Sequence, residues 1–144
     1  MLLANFRYST QIAPRFDDLD AVGHVNEARY ITYLEQARIG YARDVLGIGL
    51  QPRDVGMIVV KTAIDYLMPL HLKDVVNIHV RCSRLGRKSF DLAYVMTMAA
   101  NERLVSMATM TMVAYNYEQE RSMLLSEEWQ RLILDYEILK PDQP

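Results

Sequence analysis

The sequence predicts an α+β fold in which a curled antiparallel sheet of five strands wraps around one long central helix, with a further helix near the carboxyl end. An apolar stripe with helical spacing covers residues 27–46. From about residue 57, apolar and polar side chains instead alternate with the period of two that is typical of strands. Successive segments of this kind are joined by short connections, which favours antiparallel pairing.

The long helix is predicted to run from Glu27 to Leu46, because Asn26 can cap its amino end and Gly47 stands just past its carboxyl end. Its apolar face is broad, which is typical of a helix surrounded by a sheet. Gly40 costs about 1 kcal/mol relative to alanine in a helix, so we expect a strand to approach closely there. The face consists of Tyr30, Tyr33, Leu34, Ala37, Tyr41 and Val45, widened by Ile31, Ile39 and Ala42.

Four strands are predicted after the helix, and a strand near residues 4–13 completes the sheet. Segment 103–117 is apolar on both faces, so we expect it to lie inside the sheet. The other segments alternate, and each turns one apolar stripe toward the core. The stripes are Ile58, Val60, Thr62, Ile64, Tyr66 and Met68, then Val76, Ile78, Val80 and Cys82, then Phe90, Leu92, Tyr94, Met96 and Met98.

The connections between these strands are short: residues 69–74, 85–88 and 100–102. Links of this length predict that each strand pairs with the next one along the chain. A single curled sheet of this size leaves an edge strand and an apolar face to be covered. We therefore expect a homodimer or a homotetramer.

The last helix is predicted to begin after Ser126, whose hydroxyl can cap it, with Glu127 and Glu128 in its first turn. Pro141 is predicted to stop it. Its apolar face consists of Trp129, Leu132, Ile133 and Tyr136.

Length and composition predict a single domain over residues 1–144, since the chain is 51% apolar and 24% charged. The net charge is −2 with the two signs interspersed, which gives no reason to expect a nucleic acid or a membrane surface as partner. The single cysteine, Cys82, excludes an intramolecular disulfide and fits a reducing compartment. The amino end has neither the basic start nor the long apolar stretch of a signal peptide, so we expect a cytoplasmic protein.

The stretch from Arg15 to Tyr30 carries the most informative chemistry. It places three aspartates, a glycine, a histidine and an asparagine in a loop that leads directly into the long helix. Backbone N–H donors at a helix amino end are free, and the helix dipole favours negative charge there. A reaction that builds negative charge on a carbonyl oxygen needs such donors beside an anionic base or nucleophile, and this loop offers both. The residues are Asp17, Asp18, Asp20, Gly23, His24 and Asn26.

Together these features resemble the hot-dog fold, specifically the 4-hydroxybenzoyl-CoA thioesterase-like acyl-CoA thioesterases. The resemblance extends over about residues 5–135. Its most specific part is the loop, where an aspartate stands three residues before a glycine and is followed by Val-Asn and an aromatic helix. The matching segments are Phe16–Asp20, Gly23–Asn26, Ala28–Tyr30, Tyr33–Arg38, Ile64–Pro69, Leu85–Phe90 and Val113–Tyr117.

The resemblance implies that Asp20 attacks the thioester or activates a water molecule. It also implies that backbone N–H groups of Val25, Asn26 and Glu27 stabilise the oxyanion. His24 is assigned either as a second catalytic group or as a loop histidine hydrogen-bonded to backbone. Asn26 is a helix cap that would itself shape the oxyanion site, and it completes the candidate catalytic group.

Three other carboxylates are given structural roles. Asp17 and Asp18 are interpreted as turn or capping residues, the commonest use of aspartate ahead of a helix. Some hot-dog thioesterases use a helix carboxylate in place of the loop aspartate. Because Asp20 is present, Glu35 is interpreted as a structural residue or one that sets the polarity of the pocket.

A basic turn follows the second of the four predicted strands after the helix. Arg84, Arg87 and Lys88 surround a glycine there, with Ser89 next to them. A turn of this kind is usually a solvated hairpin tip. In proteins that this chain resembles, the same turn lies near the CoA phosphates, where fixed positive charge suits a polyanion. These residues are therefore candidates for substrate binding.

The predicted function is hydrolysis of an acyl-CoA to a free acid and CoA. It requires no cofactor, and no Cys/His cluster with metal-ligand spacing predicts a metal. One alternative is a non-catalytic hot-dog protein that binds an acyl-thioester or another apolar ligand. Another is a thioesterase that acts on acyl carrier protein instead of CoA. The sequence does not identify the acyl group.

Overall fold

The computed structural model describes residues 3–49 and 56–144, and its long helix α1 (Glu27–Leu46) has the predicted bounds. The Oδ1 atom of Asn26 accepts a hydrogen bond from the Ala28 N–H over 2.9 Å, which caps the amino end. Gly47 ends the helix with φ +66°, the left-handed conformation that glycine adopts without steric cost. Tyr30, Tyr33, Leu34, Ala37 and Tyr41 are buried on one face, as predicted.

In the described residues the sheet has six strands rather than the predicted five, and the strands pair antiparallel. The strands are β1 (Tyr8–Ile12), β2 (Met57–Tyr66), β3 (Val76–Leu85), β4 (Ser89–Met98), β5 (Leu104–Asn116) and β6 (Arg121–Ser122). Their order is β1-β3-β4-β5-β2, and β6 adds a short pairing to the end of β5. The curled sheet around one helix is confirmed, β5 lies inside it as predicted, and β6 was not predicted.

The prediction that β2 and β3 are neighbours is wrong, because the short link between them leads from the edge strand β2 past β5 and β4 to β3, which pairs with β1 and β4. The backbone N–H groups of Leu67 and Met68 both donate to the carbonyl of Val105. The carbonyl of Leu70 accepts from the Val25 N–H over 2.8 Å, and the Leu70 side chain is fully buried. The link thus passes across the amino end of α1, where burial of Leu70 stabilises the crossing.

A bulge at Val60 changes which residues of β2 face the core. Val59 pairs with Met112 of β5, whose side chain is buried. The extra residue at Val60 shifts the alternation by one position. Val59, rather than Ile58 or Val60, therefore lies on the same face of the sheet as Thr62, and both side chains are exposed, which corrects the predicted stripe.

The core lies between the buried face of α1 and the concave face of the sheet. A Cβ atom at Gly40 would collide with the Tyr8 hydroxyl of β1, which confirms the predicted close approach of a strand. Burial raises the pKa of the Cys82 thiol to about 12, so this cysteine is an unreactive part of the core. The stripes of β3 and β4 are buried as predicted: Val76, Ile78, Val80, Cys82, Phe90, Leu92, Tyr94 and Met96.

The last helix, α2 (Glu127–Tyr136), ends before the predicted stop at Pro141. The chain leaves the helix at Glu137 because this side chain turns inward. Its carboxylate accepts hydrogen bonds from the Tyr41 hydroxyl over 2.5 Å and from the Cys82 N–H over 2.8 Å. Burial raises the pKa of Glu137 above its ordinary value. Within residues 3–49 and 56–144, no helix is long and apolar enough to cross a bilayer.

Candidate active site

Asp20 lies in a closed turn between β1 and α1. Its Oδ1 atom accepts hydrogen bonds from the backbone N–H groups of Val22, over 3.0 Å, and His24, over 3.1 Å. Its own N–H donates to the His24 carbonyl over 2.7 Å, and Gly23 makes the turn possible with φ +81°. In the described part of the chain, the Oδ2 atom of Asp20 has no hydrogen-bond partner. The turn therefore fixes the carboxylate and leaves one oxygen available.

Asp18 is buried beneath this turn and holds the loop to α1. Its Oδ2 atom accepts hydrogen bonds from the Tyr33 hydroxyl over 2.6 Å and from the Arg15 N–H over 2.9 Å, and Arg29 lies 3.7 Å from Oδ1. Burial raises the pKa of Asp18, but these hydrogen bonds and Arg29 outweigh it, so the pKa lies below its ordinary value. The interpretation of Asp18 as a loop residue agrees with this geometry.

Two of the three predicted oxyanion donors are used within the protein. The Val25 N–H donates to the Leu70 carbonyl, and the Asn26 N–H donates to the Asp18 carbonyl, each over 2.8 Å. Within the described residues, the N–H of Glu27 has no acceptor. Glu27 is the first residue of α1, where the helix dipole favours a negative group.

A cavity of about 370 Å³ brings Asp20 and Glu27 together. One wall is aromatic, because the Tyr30 and Tyr66 rings pack edge to face with centroids 5.1 Å apart. The Tyr66 hydroxyl donates to the Glu27 carbonyl over 3.1 Å, which ties the edge strand β2 to the start of α1. The cavity is lined by Asp20, His24, Val25, Glu27, Tyr30, Tyr66, Leu67, Met68 and Pro69.

His24 contacts a second histidine that the sequence interpretation missed. The His24 and His71 rings lie at 84° with centroids 5.0 Å apart. The His71 Nδ1 atom lies 3.2 Å from Asp74 Oδ2. His71 is in the link between β2 and β3, and only the unpredicted crossing of that link brings it to the loop. Among the described residues, no group of three or more histidine, cysteine or acidic side chains is arranged to hold a metal ion.

The basic turn between β3 and β4 divides into a paired arginine and two exposed cations. Arg84 makes a bidentate ion pair with Asp91 over 2.8 and 2.9 Å and also donates to Ser89 Oγ over 3.0 Å. The hydrogen bonds to Asp91 raise the pKa of Arg84, and the same bonds lower that of Asp91. Arg87 and Lys88 are exposed.

Within a single subunit, this basic turn lies far from Asp20. The crossing link beside Asp20 leads into the start of β3 at Val76, whereas the turn follows the end of β3 at Leu85. A strand of ten residues spans about 30 Å. The predicted substrate-binding residues and the predicted catalytic residues thus lie at opposite ends of the sheet.

A second cavity, of about 330 Å³, lies between α1 and the β2–β5 side of the sheet. Glu35 faces this cavity, and its carboxylate lies 3.6 Å from the Arg38 guanidinium. The remaining lining is mainly apolar: Ile39, Ala42, Ile48, Gly49, Met57, Val59 and Met112. The interpretation of Glu35 as a pocket residue agrees with this position.

Comparison with known proteins identifies relatives across most of the chain. The chain is 31% identical to the long-chain acyl-CoA thioesterase FadM of Escherichia coli over 120 residues, which cover 83% of this chain and 91% of FadM. A thioesterase from Thermus thermophilus, solved with coenzyme A and Zn, superposes with a TM-score of 0.80 at 29% identity over 92% of this chain and 95% of that one.

A further solved structure confirms the hot-dog fold. A 1,4-dihydroxy-2-naphthoyl-CoA thioesterase from Synechocystis has a TM-score of 0.80 at 20% identity, with 89% of this chain and 96% of that chain covered. The family model of the thioesterase-like superfamily matches residues 14–133. This range contains the Asp20 loop, all of α1 and the main strands from β2 to β5. The chain therefore belongs to the thioesterase-like superfamily.

Proposed function

We propose that this protein is an acyl-CoA thioesterase that hydrolyses a thioester to a free acid and CoA. The observation that carries the proposal is that Asp20 and Glu27, whose N–H has no acceptor among the described residues, line one cavity. An anionic base and an unengaged backbone donor on one cavity are what thioester hydrolysis requires. The similarity to FadM and to a thioesterase solved with coenzyme A supports the assignment of the substrate class.

In the proposed reaction, Asp20 acts as base or nucleophile through its free Oδ2 atom. As a base, it takes a proton from water while the water oxygen attacks the thioester carbonyl carbon. The negative charge that develops on the carbonyl oxygen is stabilised by the Glu27 N–H and the amino end of α1. The C–S bond then breaks, and the protonated Asp20 gives its proton to the departing CoA thiolate, which leaves as the thiol and regenerates the carboxylate.

His24 and Asn26 complete the proposed catalytic group. Asn26 caps α1 and thereby fixes the orientation of the Glu27 N–H. His24 lines the same cavity as Asp20, from which its imidazole can donate a hydrogen bond to the departing sulfur. Val25 contributes to the site through its bond to the Leu70 carbonyl, which holds the crossing link against the loop.

The acyl group is proposed to occupy the apolar cavity between α1 and the β2–β5 side of the sheet. Met57 and Met112 line this cavity, and methionine adapts its shape to different ligands. The name of FadM makes long-chain acyl groups the first to test.

The active form is proposed to be a homodimer or a homotetramer in the cytoplasm. β2 pairs with β5 on one side and with no strand of the described residues on the other, and Val60 on it is 53% exposed. A second copy related by a two-fold axis at this edge runs antiparallel, so it turns its basic β3–β4 turn toward this subunit's Asp20 end. Arg87 and Lys88 would then bind CoA phosphates across the interface. The single buried thiol, Cys82, supports a reducing compartment.

Hydrolysis of a panel of acyl-CoAs of different length and aromaticity, followed with a thiol-reactive dye, tests the proposal. We expect release of free CoA to saturate with at least one acyl chain. Matched acyl carrier protein thioesters distinguish the two carriers, because only CoA presents a nucleotide to Arg87 and Lys88. Saturable binding without release of thiol would instead establish the non-catalytic alternative.

A further inference from the structure

The link between β2 and β3 is tied to the site by several hydrogen bonds, although its side chains at Leu67 and Leu72 are exposed and that of His71 is 48% exposed. At its start, Leu67 and Met68 bond to the Val105 carbonyl, and the Met68 carbonyl accepts from the Tyr30 hydroxyl over 3.1 Å. In its middle, the Leu70 carbonyl accepts from Val25 in the catalytic loop. Bonds to α1, to the loop and to β5 therefore fix the backbone immediately before His71.

The His71 ring is held by a carboxylate within the same turn. Asp74 Oδ2 accepts the backbone N–H of His71 over 2.9 Å and lies 3.2 Å from its ring Nδ1. The Asp74 N–H donates back to the His71 carbonyl over 3.0 Å. Only 14% of the Asp74 side chain is exposed. Because a carboxylate is an acceptor, this contact places a proton on Nδ1 and fixes the orientation of the ring.

The fixed His71 ring packs against the catalytic loop through His24. The two rings meet edge to face, with centroids 5.0 Å apart and planes at 84°. This is the arrangement that aromatic rings favour, and it constrains the side-chain torsions of His24. The backbone of His24 is meanwhile fixed by the Asp20 turn. The Asp20 turn thus contacts His24 through its backbone, and His71 contacts it through its ring.

We propose that His71 is a positioning residue whose ring holds the His24 imidazole toward the reacting atoms. The inference rests on the proposed thioesterase function and on the role of His24 within it. His71 acts through ring packing, not through proton transfer of its own. An aromatic ring of similar size at position 71 therefore replaces it, whereas a small side chain does not.

Steady-state kinetics of His71→Ala and His71→Phe test the proposal, with Leu72→Ala as the control from the same link. The backbone N–H of residue 71 still donates to Asp74 in both variants, so the turn is retained. A misplaced catalytic group costs up to about 100-fold, so we expect His71→Ala to lower kcat by roughly 10-fold to 100-fold. KM changes by less than about twofold, because ground-state binding is untouched. His71→Phe and Leu72→Ala keep most of the wild-type kcat.

An NMR measurement of the His24 ring gives a readout that does not depend on turnover. We expect the His24 ring nitrogen shifts to change in His71→Ala and to stay closer to wild type in His71→Phe. An unchanged kcat in His71→Ala, equal impairment of His71→Ala and His71→Phe, or unchanged His24 shifts overturns the inference.

The same assays separate failure of the inference from failure of the proposed function. Full activity of His24→Ala overturns the inference but leaves acyl-CoA hydrolysis in place. Absence of thioester hydrolysis by the wild-type protein overturns both.

Discussion

Replacing Tyr33 with phenylalanine removes a short hydrogen bond between α1 and the loop that carries Asp20. The Tyr33 hydroxyl donates to Asp18 Oδ2 over 2.6 Å, and only 10% of the Asp18 side chain is exposed. The phenyl ring keeps the packing of α1, so the substitution deletes one hydrogen bond. It leaves a buried carboxylate with the Arg15 N–H and Arg29 as its remaining partners.

The stability that Tyr33→Phe is expected to lose depends on the charge of the acceptor, the Asp18 carboxylate. A hydrogen bond to a charged group contributes about 1.5–3 kcal/mol, and no cavity is created that would add to it. In a domain of 144 residues, each kcal/mol of lost stability lowers Tm by about 4 °C. Tyr33→Phe is therefore expected to lower Tm by roughly 6–12 °C.

The cost should also depend on pH. The Tyr33 bond helps to hold the native pKa of Asp18 below its unfolded value, despite burial. Asp18 therefore contributes stability above the unfolded pKa of about 3.9, and this contribution is lost as pH falls through the native pKa. The difference in unfolding free energy between wild type and Tyr33→Phe should be largest near neutral pH and should decrease in acid.

Thermal and urea unfolding of both proteins between pH 3 and pH 7, at equal protein concentration, measure this difference. The control is Tyr117→Phe, which deletes a hydrogen bond to the uncharged carbonyl of Met57 and should show a smaller, pH-independent loss. Equal stability of Tyr33→Phe and wild type at pH 7 would refute the assignment of Asp18 as an anionic anchor of the loop.

Three further predictions follow from packing and charge. Gly40→Ala should destabilise the wild-type protein, because the new Cβ collides with the Tyr8 hydroxyl. It should be tolerated better in a Tyr8→Phe background, where the ring carbon Cζ 3.3 Å away keeps any gain below about 1 kcal/mol; urea unfolding of all four proteins measures the coupling. Arg87→Glu or Lys88→Glu should raise KM for acyl-CoA but not for a short thioester without the nucleotide, and added salt should reduce the effect. Equal KM values of wild type and variants on acyl-CoA would show that both residues belong to a solvated turn without a role in substrate binding. Val60→Lys should weaken self-association in light scattering, since it adds charge to the free edge of β2, and an unchanged oligomer mass would exclude that edge.

The elements that could be predicted from sequence are those with local signals. α1 has a capping asparagine, a terminal glycine and a wide apolar face, and its predicted bounds are the observed ones. The stripes of β3 and β4 follow the simple alternation of strands with one buried face. The candidate catalytic loop could be located because Asp20 and the start of α1 are adjacent in the chain.

The features that could not be predicted depend on contacts between distant residues. The short link after β2 has the length of a hairpin connection. No sequence signal near it predicts that the link crosses the amino end of α1 and buries Leu70 there. His71 was missed for this reason. Glu137 is a second case, because its partners Tyr41 and Cys82 lie far from it in sequence and fix the end of α2. The bulge at Val60 could not be predicted either, because no proline or glycine lies at this position to indicate it.

Asp20→Asn, assayed for thiol release from acyl-CoA, tests the central claim most directly. The asparagine Oδ1 atom can still accept from the Val22 and His24 N–H groups, so the turn survives while the basic oxygen is lost. Asp17→Asn is the matched control, because Asp17 is an exposed aspartate of the same loop. We predict that Asp20→Asn lowers kcat by about 10²–10⁴-fold with Tm unchanged, and that Asp17→Asn stays near wild type. A kcat for Asp20→Asn close to that of wild type would contradict the assignment of Asp20 as the catalytic carboxylate.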